Sequence, residues 1–358
     1  MSIEMNTAMM KYFWKKKTVL SFFAAVLIVA IHNSTTSQFD FPGSAISEAT
    51  KALHNFLAYA LGGIAVPFFF FMSGAALFRN YNPDKFRDKM RSRLGKLVVP
   101  FLVWNAIGLL VALAYTYTPL RQFVSGREFF EPSVKNLFEG IFLYKYNFHF
   151  WFMFDLIIYT LLTPVIYGLI KRKTSGILFL VGLFVLPLLV ETSPVIKLEF
   201  AVFYGLGCYI GKHHLRRIAT RSPRRTSIVC GLMSLVLLAI RMLAVSGFIH
   251  LTVIGSQLSL LALLSCIYFA VDLWLPKAAD RRCYDQFFPI YVLHPYVVAL
   301  FVKIFKTIGP NSPAIMLASE LLATLFAVIV IAKLADIWQK RLPKLYAFAF
   351  GSALRSKT

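Results

Sequence analysis

The stretch KKKTVLSFFAAVLIVAIHN, residues 15–33, decides the fold. Three lysines precede a run without charge from Thr18 to Ile31, and His32 and Asn33 follow it. A signal peptide begins in the same way, but this run lacks a small-residue cleavage site and heads a series of similar blocks. It is therefore read as a retained membrane helix. Outward from it, apolar blocks occupy 18–37, 51–78, 97–118, 148–170, 175–192, 196–211, 226–247, 251–273, 286–305 and 313–337. At roughly 20 residues each they suit a ~30 Å hydrocarbon core, which predicts an all-α integral membrane protein, a bundle of about ten transmembrane helices.

Composition points the same way. Of 358 residues, 58% are hydrophobic and only 15% are charged, with 35 Phe and 16 Tyr; the mean hydropathy is +0.67. A water-soluble globule of this length needs more polar surface, and aromatic side chains gather where lipid meets water. The net charge of +22 would suit nucleic acid, but the basic residues stand in short clusters between the apolar blocks: Lys15–Lys17, Arg79 to Lys96, Lys171–Lys173, Lys212 to Arg225, Lys277 to Arg282 and Lys340 to Lys357. They alternate with connections that carry few, and loop 38–50 has no Lys or Arg. Loops retained in the cytoplasm show this pattern. It predicts a multi-pass inner-membrane protein with both termini cytoplasmic, membrane lipid as a partner, and no nucleic-acid partner. No repeat or composition shift divides the chain, so 1–358 is read as one membrane domain. It begins with a short basic segment, 1–17, and ends in a basic tail, 338–358.

Cys208, Cys230, Cys266 and Cys283 have no metal-ligand spacing, and no disulfide framework is expected. Ionisable groups inside a helix bundle cost a few kcal/mol or more, so each asks for a reason. Here they are His32, Asp155, Glu199, Arg241, Asp272, His294, Lys303, Glu320 and Lys333. Those near helix ends can extend a long side chain to the interface. His32 lies late in an otherwise apolar helix. It is either a general base facing a cavity or a histidine bonded to a carbonyl within the bundle. His294 precedes Pro295, which removes a backbone donor and loosens the helix. His149 opens its block in Phe148-His149-Phe150-Trp151, where Trp151 reads first as an interfacial anchor. These histidines have no His-x-x-x-His spacing or carboxylate companion, so no metal site is expected. His54, His213 and His214 are given no role. Met72-Ser73-Gly74-Ala75 reads as a small-residue packing stretch, and no Gly-rich phosphate loop is present.

Taken in order, these segments resemble the acyltransferase-3 family of polytopic membrane acyltransferases over nearly the whole chain. The elements are His32-Asn33 at the end of the first helix and Ala65-Val-Pro67 to Ser73-Gly74. A basic run follows into Arg93-Leu-Gly-Lys96 and Pro100 to Trp104. Then come His149-Phe-Trp151, Phe203 to Gly211, and Phe287 to Pro295. Two positions depart from the family pattern. Many members carry an arginine eleven residues before the first histidine, where this chain has Ser21 and its nearest basic residue is Lys17. The end, Lys333 to Trp338 and then Arg341 to Tyr346, looks like the branch that includes the membrane half of membrane-bound serine racemase.

The resemblance implies transfer of an acyl group, commonly acetyl, from cytoplasmic acyl-CoA to a hydroxyl of a cell-envelope glycan or small precursor. Acetyl-CoA or another acyl-CoA then enters as a donor substrate, with no tightly bound cofactor. The same carry-over makes His32 the catalytic base. His294 or Arg93 would stabilise the developing negative charge, and Arg91, Arg93 and Lys96 would pair with CoA phosphates. Asn33, His149 and Trp151 join the expected substrate site. Arg91 and Lys96 also fit a plain topological role. The rival reading is a transporter or exporter of a small polar solute such as an amino acid. Against it, no Gly/Pro-broken helices stand in matching halves of the chain.

Overall fold

The computed structural model describes residues 3–32, 45–118, 129–190, 195–277, 281–308 and 313–351. Among the described residues the chain is helical, with no strand. In order the helices are α1 (Ile3–His32), α2 (Ala45–His54), α3 (Ala65–Phe78), α4 (Phe86–Tyr117), α5 (Val134–Phe142), α6 (Trp151–Leu161), α7 (Thr163–Ile170) and α8 (Lys173–Leu189). They continue as α9 (Ala201–His213), α10 (Leu215–Ala219), α11 (Arg224–Val245), α12 (Val253–Ala270), α13 (Phe287–Ile308), α14 (Pro313–Arg341) and α15 (Pro343–Phe350). Asn33, the start of loop 38–50, and Arg121 and Arg127 lie outside the described residues.

Among the described residues, five helical stretches are long and apolar enough to cross a membrane unaided: Lys51–Phe78, Pro83–Tyr117, Arg224–Val245, Val253–Leu273 and Leu321–Arg341. Phe148–Leu161 and Thr163–Ile170 make a sixth span if the pair, bent by 61°, is counted as one. The bend has a local cause, because Pro164 supplies no amide to continue α6. The described parts of the other apolar blocks read from the sequence are helical too, but short or interrupted. Lys15–Lys17 fall within α1, α8 has 17 residues and α9 has 13. The chain is a multi-pass membrane protein.

Glycine sets the closest helix contact, the parallel pairing of α3 and α9. A methyl group on Gly207 would stand 2.1 Å from the Phe71 carbonyl oxygen, one on Gly211 2.6 Å from that of Ala75, and one on Gly74 2.4 Å from that of Tyr204. Membrane helices have no hydrophobic drive toward each other, so such backbone contact is how they gain dispersion energy. The small-residue stretch at Ser73-Gly74 is therefore packing, as its sequence reads.

Two buried polar clusters hold other helices in place. Between α2 and α3 the chain forms a π-turn, Asn55–Leu61, and a 3₁₀ turn, Gly62–Ile64. Arg241 of α11 serves this break: its Nε donates to the Ala60 carbonyl at 3.0 Å, one Nη to that of Tyr59 at 3.1 Å, and the other to Ser259 Oγ at 3.0 Å. The membrane-buried arginine thus satisfies polar groups that lipid cannot. Midway along α1, Lys16 pairs with Asp272 at 2.7 Å, both side chains fully buried. Tyr12 donates to the same carboxylate at 2.5 Å, as do the Ser222 amide at 2.9 Å and hydroxyl at 2.8 Å. The Lys16 ammonium also lies 3.8 Å from the Tyr268 ring centre, a cation–π contact.

Candidate functional site

Three histidines from separate parts of the chain converge. His32, on the last turn of α1, stacks on His294 of α13 with ring centres 5.2 Å apart and planes inclined by 28°. His149, in the 3₁₀ turn Phe148–Phe150 before α6, has its ring 5.4 Å from His294. Phe148 lies edge-on to His32 at 5.3 Å. His294 is fully buried and His149 nearly so. Among the described residues no group of His, Cys, Asp or Glu could hold a metal ion.

The His294-Pro295 pair explains how the central ring is oriented. Pro295 lies inside α13 and has no amide to bond the carbonyl four residues back, that of Tyr291. His294 Nδ1 lies 2.7 Å from this Tyr291 oxygen. A carbonyl only accepts, so the proton is assigned to Nδ1 and Nε2 carries the lone pair. Nε2 is buried and has no hydrogen-bond partner among the described residues. Tyr291 itself is anchored, its hydroxyl donating to the His149 carbonyl at 2.6 Å. In this tautomer Nε2 of His294 accepts and cannot donate. Its expected part as a stabiliser of negative charge therefore requires a protonated ring.

Asn147 fixes the turn that brings His149 in. Its Nδ2 donates to the Trp104 carbonyl at 2.6 Å and its Oδ1 accepts from Tyr296 at 2.7 Å, joining the turn to α4 and α13. Gly108 makes room, since a Cβ there would meet Asn147 Nδ2 at 2.2 Å. Tyr144 takes the left-handed backbone (φ 54°) that reverses the chain before it. Trp151 points elsewhere, packing against Phe70 and Phe200 within the core at 6.5 and 5.3 Å.

A second feature is a group of cations. The Arg93 guanidinium donates through one Nη to the Ser73 carbonyl at 2.9 Å, while its Nε is buried and unbonded among the described residues. Lys17 lies within electrostatic reach of Arg93, and Lys89 within reach of Arg79 and Arg93. Aromatic rings line the group: Lys17 is 5.3 Å from the Phe287 ring centre, Arg79 4.8 Å from Trp14 and Lys89 5.7 Å from Tyr81. None of the four pairs with a carboxylate among the described residues. Arg91 and Lys96 are exposed and stand outside the group. Ser21 is buried, and Lys17 lies one turn before it on the same helix face. Sequence reading missed Lys17, Arg79 and Lys89 because each also serves as a topological charge.

Residues 19–334 match a family model described as an acyltransferase domain, Acyl_transf_3. No curated protein and no solved structure gives a significant match.

Proposed function

The chain belongs to the acyltransferase-3 family, and from that premise we propose that it moves an acyl group, acetyl in the simplest case, from acyl-CoA to a hydroxyl of a cell-envelope glycan or small precursor. The stacked pair of His32 and His294 carries this reading. His32 takes the proton of the acceptor hydroxyl as its oxygen attacks the thioester carbonyl. The tetrahedral intermediate then expels the CoA thiolate, which recovers the proton from His32. His294, stacked on His32, positions that ring for the transfer. The cations Lys17, Arg79, Lys89 and Arg93 receive the CoA phosphates. From Lys17 to His32 along α1 is ~22 Å at 1.5 Å per residue, a span suited to an extended arm between phosphate and thioester. The site lies in the inner membrane, with the cation group and both termini toward the cytoplasm.

Two results are expected. First, acetyl-CoA should bind the protein in nanodiscs, and Arg93→Ala should weaken it by ~10–100-fold, the loss of one charge-assisted hydrogen bond. Arg93→Lys should recover part of the loss, having charge but no planar fork, and Arg91→Ala should stay within about twofold. Titration calorimetry reads all four. Equal affinity in wild type and Arg93→Ala removes Arg93 from the donor site, and no binding by wild type ends the donor assignment. Second, in a cysteine-free background, an impermeant thiol reagent on intact cells should label Ser246→Cys, in the exposed connection after α11, and spare Thr174→Cys, at the start of α8. The reverse pattern inverts the orientation.

A further inference from the structure

An apolar cavity of about 530 Å³ lies between α1, α3, α11 and α12. Its walls include Leu20, Ala24 and Leu27 of α1, Phe68 of α3, Ser234 of α11 and Leu264 of α12, and Trp274 stands at one end. The cavity is separate from the histidine site. At 100° per residue, positions 20, 24 and 27 turn to the opposite side of α1 from 25, 29 and 32, and Ala25 and Val29 pack against Ile290 and Val298 of α13.

The cavity is only partly enclosed, and α11 shows what surrounds its open side. Val229, Leu232, Leu235 and Val236 on this spanning helix are 51–64% exposed, a surface that suits lipid. Apolar cavities do not hold water well, so hydrocarbon is the solvent that fills this one. At ~30 Å³ for each methylene-sized group, the volume of a liquid water molecule, the space takes one chain of fatty-acid length. Charge marks the end where the headgroup lies. Ser222 is bonded to Asp272, next to the lining residues Val271 and Leu273. That contact sets exposed Arg221 and Arg224 beside the Trp274 end, where Lys277 follows in a turn bonded to Trp274. Basic residues at a membrane surface favour acidic headgroups.

We propose that this cavity binds one acyl chain of an anionic phospholipid, whose headgroup sits among Arg221, Arg224 and Lys277. The lipid packs behind α1, on the side away from His32.

Native mass spectrometry of the full chain tests this with phosphatidylglycerol and phosphatidylcholine of matched chains added to the purified protein. Wild type should retain about one phosphatidylglycerol per chain, several-fold in preference to phosphatidylcholine. Ser234→Trp and Gly231→Leu, which grow into the cavity, should each lose most of the retained lipid. Leu232→Trp, on the outer face of α11, should keep it. Arg224→Gln with Lys277→Gln should abolish the preference between headgroups while leaving a retained lipid. Because wild type is measured alone first, the test survives a misfolded variant. No retained lipid in wild type, equal retention in Ser234→Trp and Gly231→Leu, or a polyprenyl phosphate in place of phospholipid would each overturn the assignment.

Discussion

His32→Gln is expected to lower acyl transfer by ~10²–10⁴-fold, the usual share of a positioned acid–base group, while the protein still inserts and accumulates. Glutamine keeps hydrogen bonding and comparable bulk but takes no proton at neutral pH. A structural histidine would behave in the opposite way, tolerating Gln and suffering only as protein level fell. The stack of His32 on His294 at 5.2 Å sharpens the comparison. Two groups that act on one proton transfer are strongly non-additive, so His32→Gln with His294→Gln should be little worse than His32→Gln alone. Acylation of cell-envelope material, normalised to membrane protein level, is the measurement. A wild-type rate from His32→Gln would end the catalytic assignment of His32.

The second large effect falls on stability. Asp272→Asn should destabilise the protein by ~3–5 kcal/mol, because removing one member of a buried ion pair leaves the other charge uncompensated. Lys16 would then stand fully buried against a neutral amide. Replacing both, with Lys16→Met and Asp272→Leu, should return much of the loss, since apolar side chains of similar volume often replace a buried pair at little cost. Thermal unfolding in a fixed detergent, followed by the exposure of buried Cys208, reads both variants. If Asp272→Asn unfolds with wild type, the pair contributes nothing to stability.

The sequence makes the membrane class legible, and it makes His32 and His294 legible as single residues, because a polar group in an apolar run is costly wherever it points. It does not show that they meet. That depends on how α1 and α13 cross, and no spacing along the chain encodes a crossing. His149 is harder still, since it reaches His294 only through the Asn147 bonds to Trp104 and Tyr296. The cation group was hidden for a different reason. Lys17, Arg79 and Lys89 look like any basic residue flanking a span, and only the lack of a paired carboxylate among the described residues sets them apart. Hydropathy reveals neither the bend at Pro164 nor the π-turn at 55–61, so it does not by itself fix the number of spans.

The Lys16–Asp272 pair also has a history within each molecule. On the proposed orientation, Lys16 is one of the three lysines that hold the amino terminus inside while α1 is the only helix yet made. Asp272 is translated much later, at the end of α12. The same ammonium is therefore read twice: first by the insertion machinery as a mark of sidedness, then by a carboxylate that withdraws it from the surface. Until Asp272 arrives, a nascent chain carries an unmatched lysine beside the apolar run of its first helix. An arrested or truncated product would keep that charge unmatched.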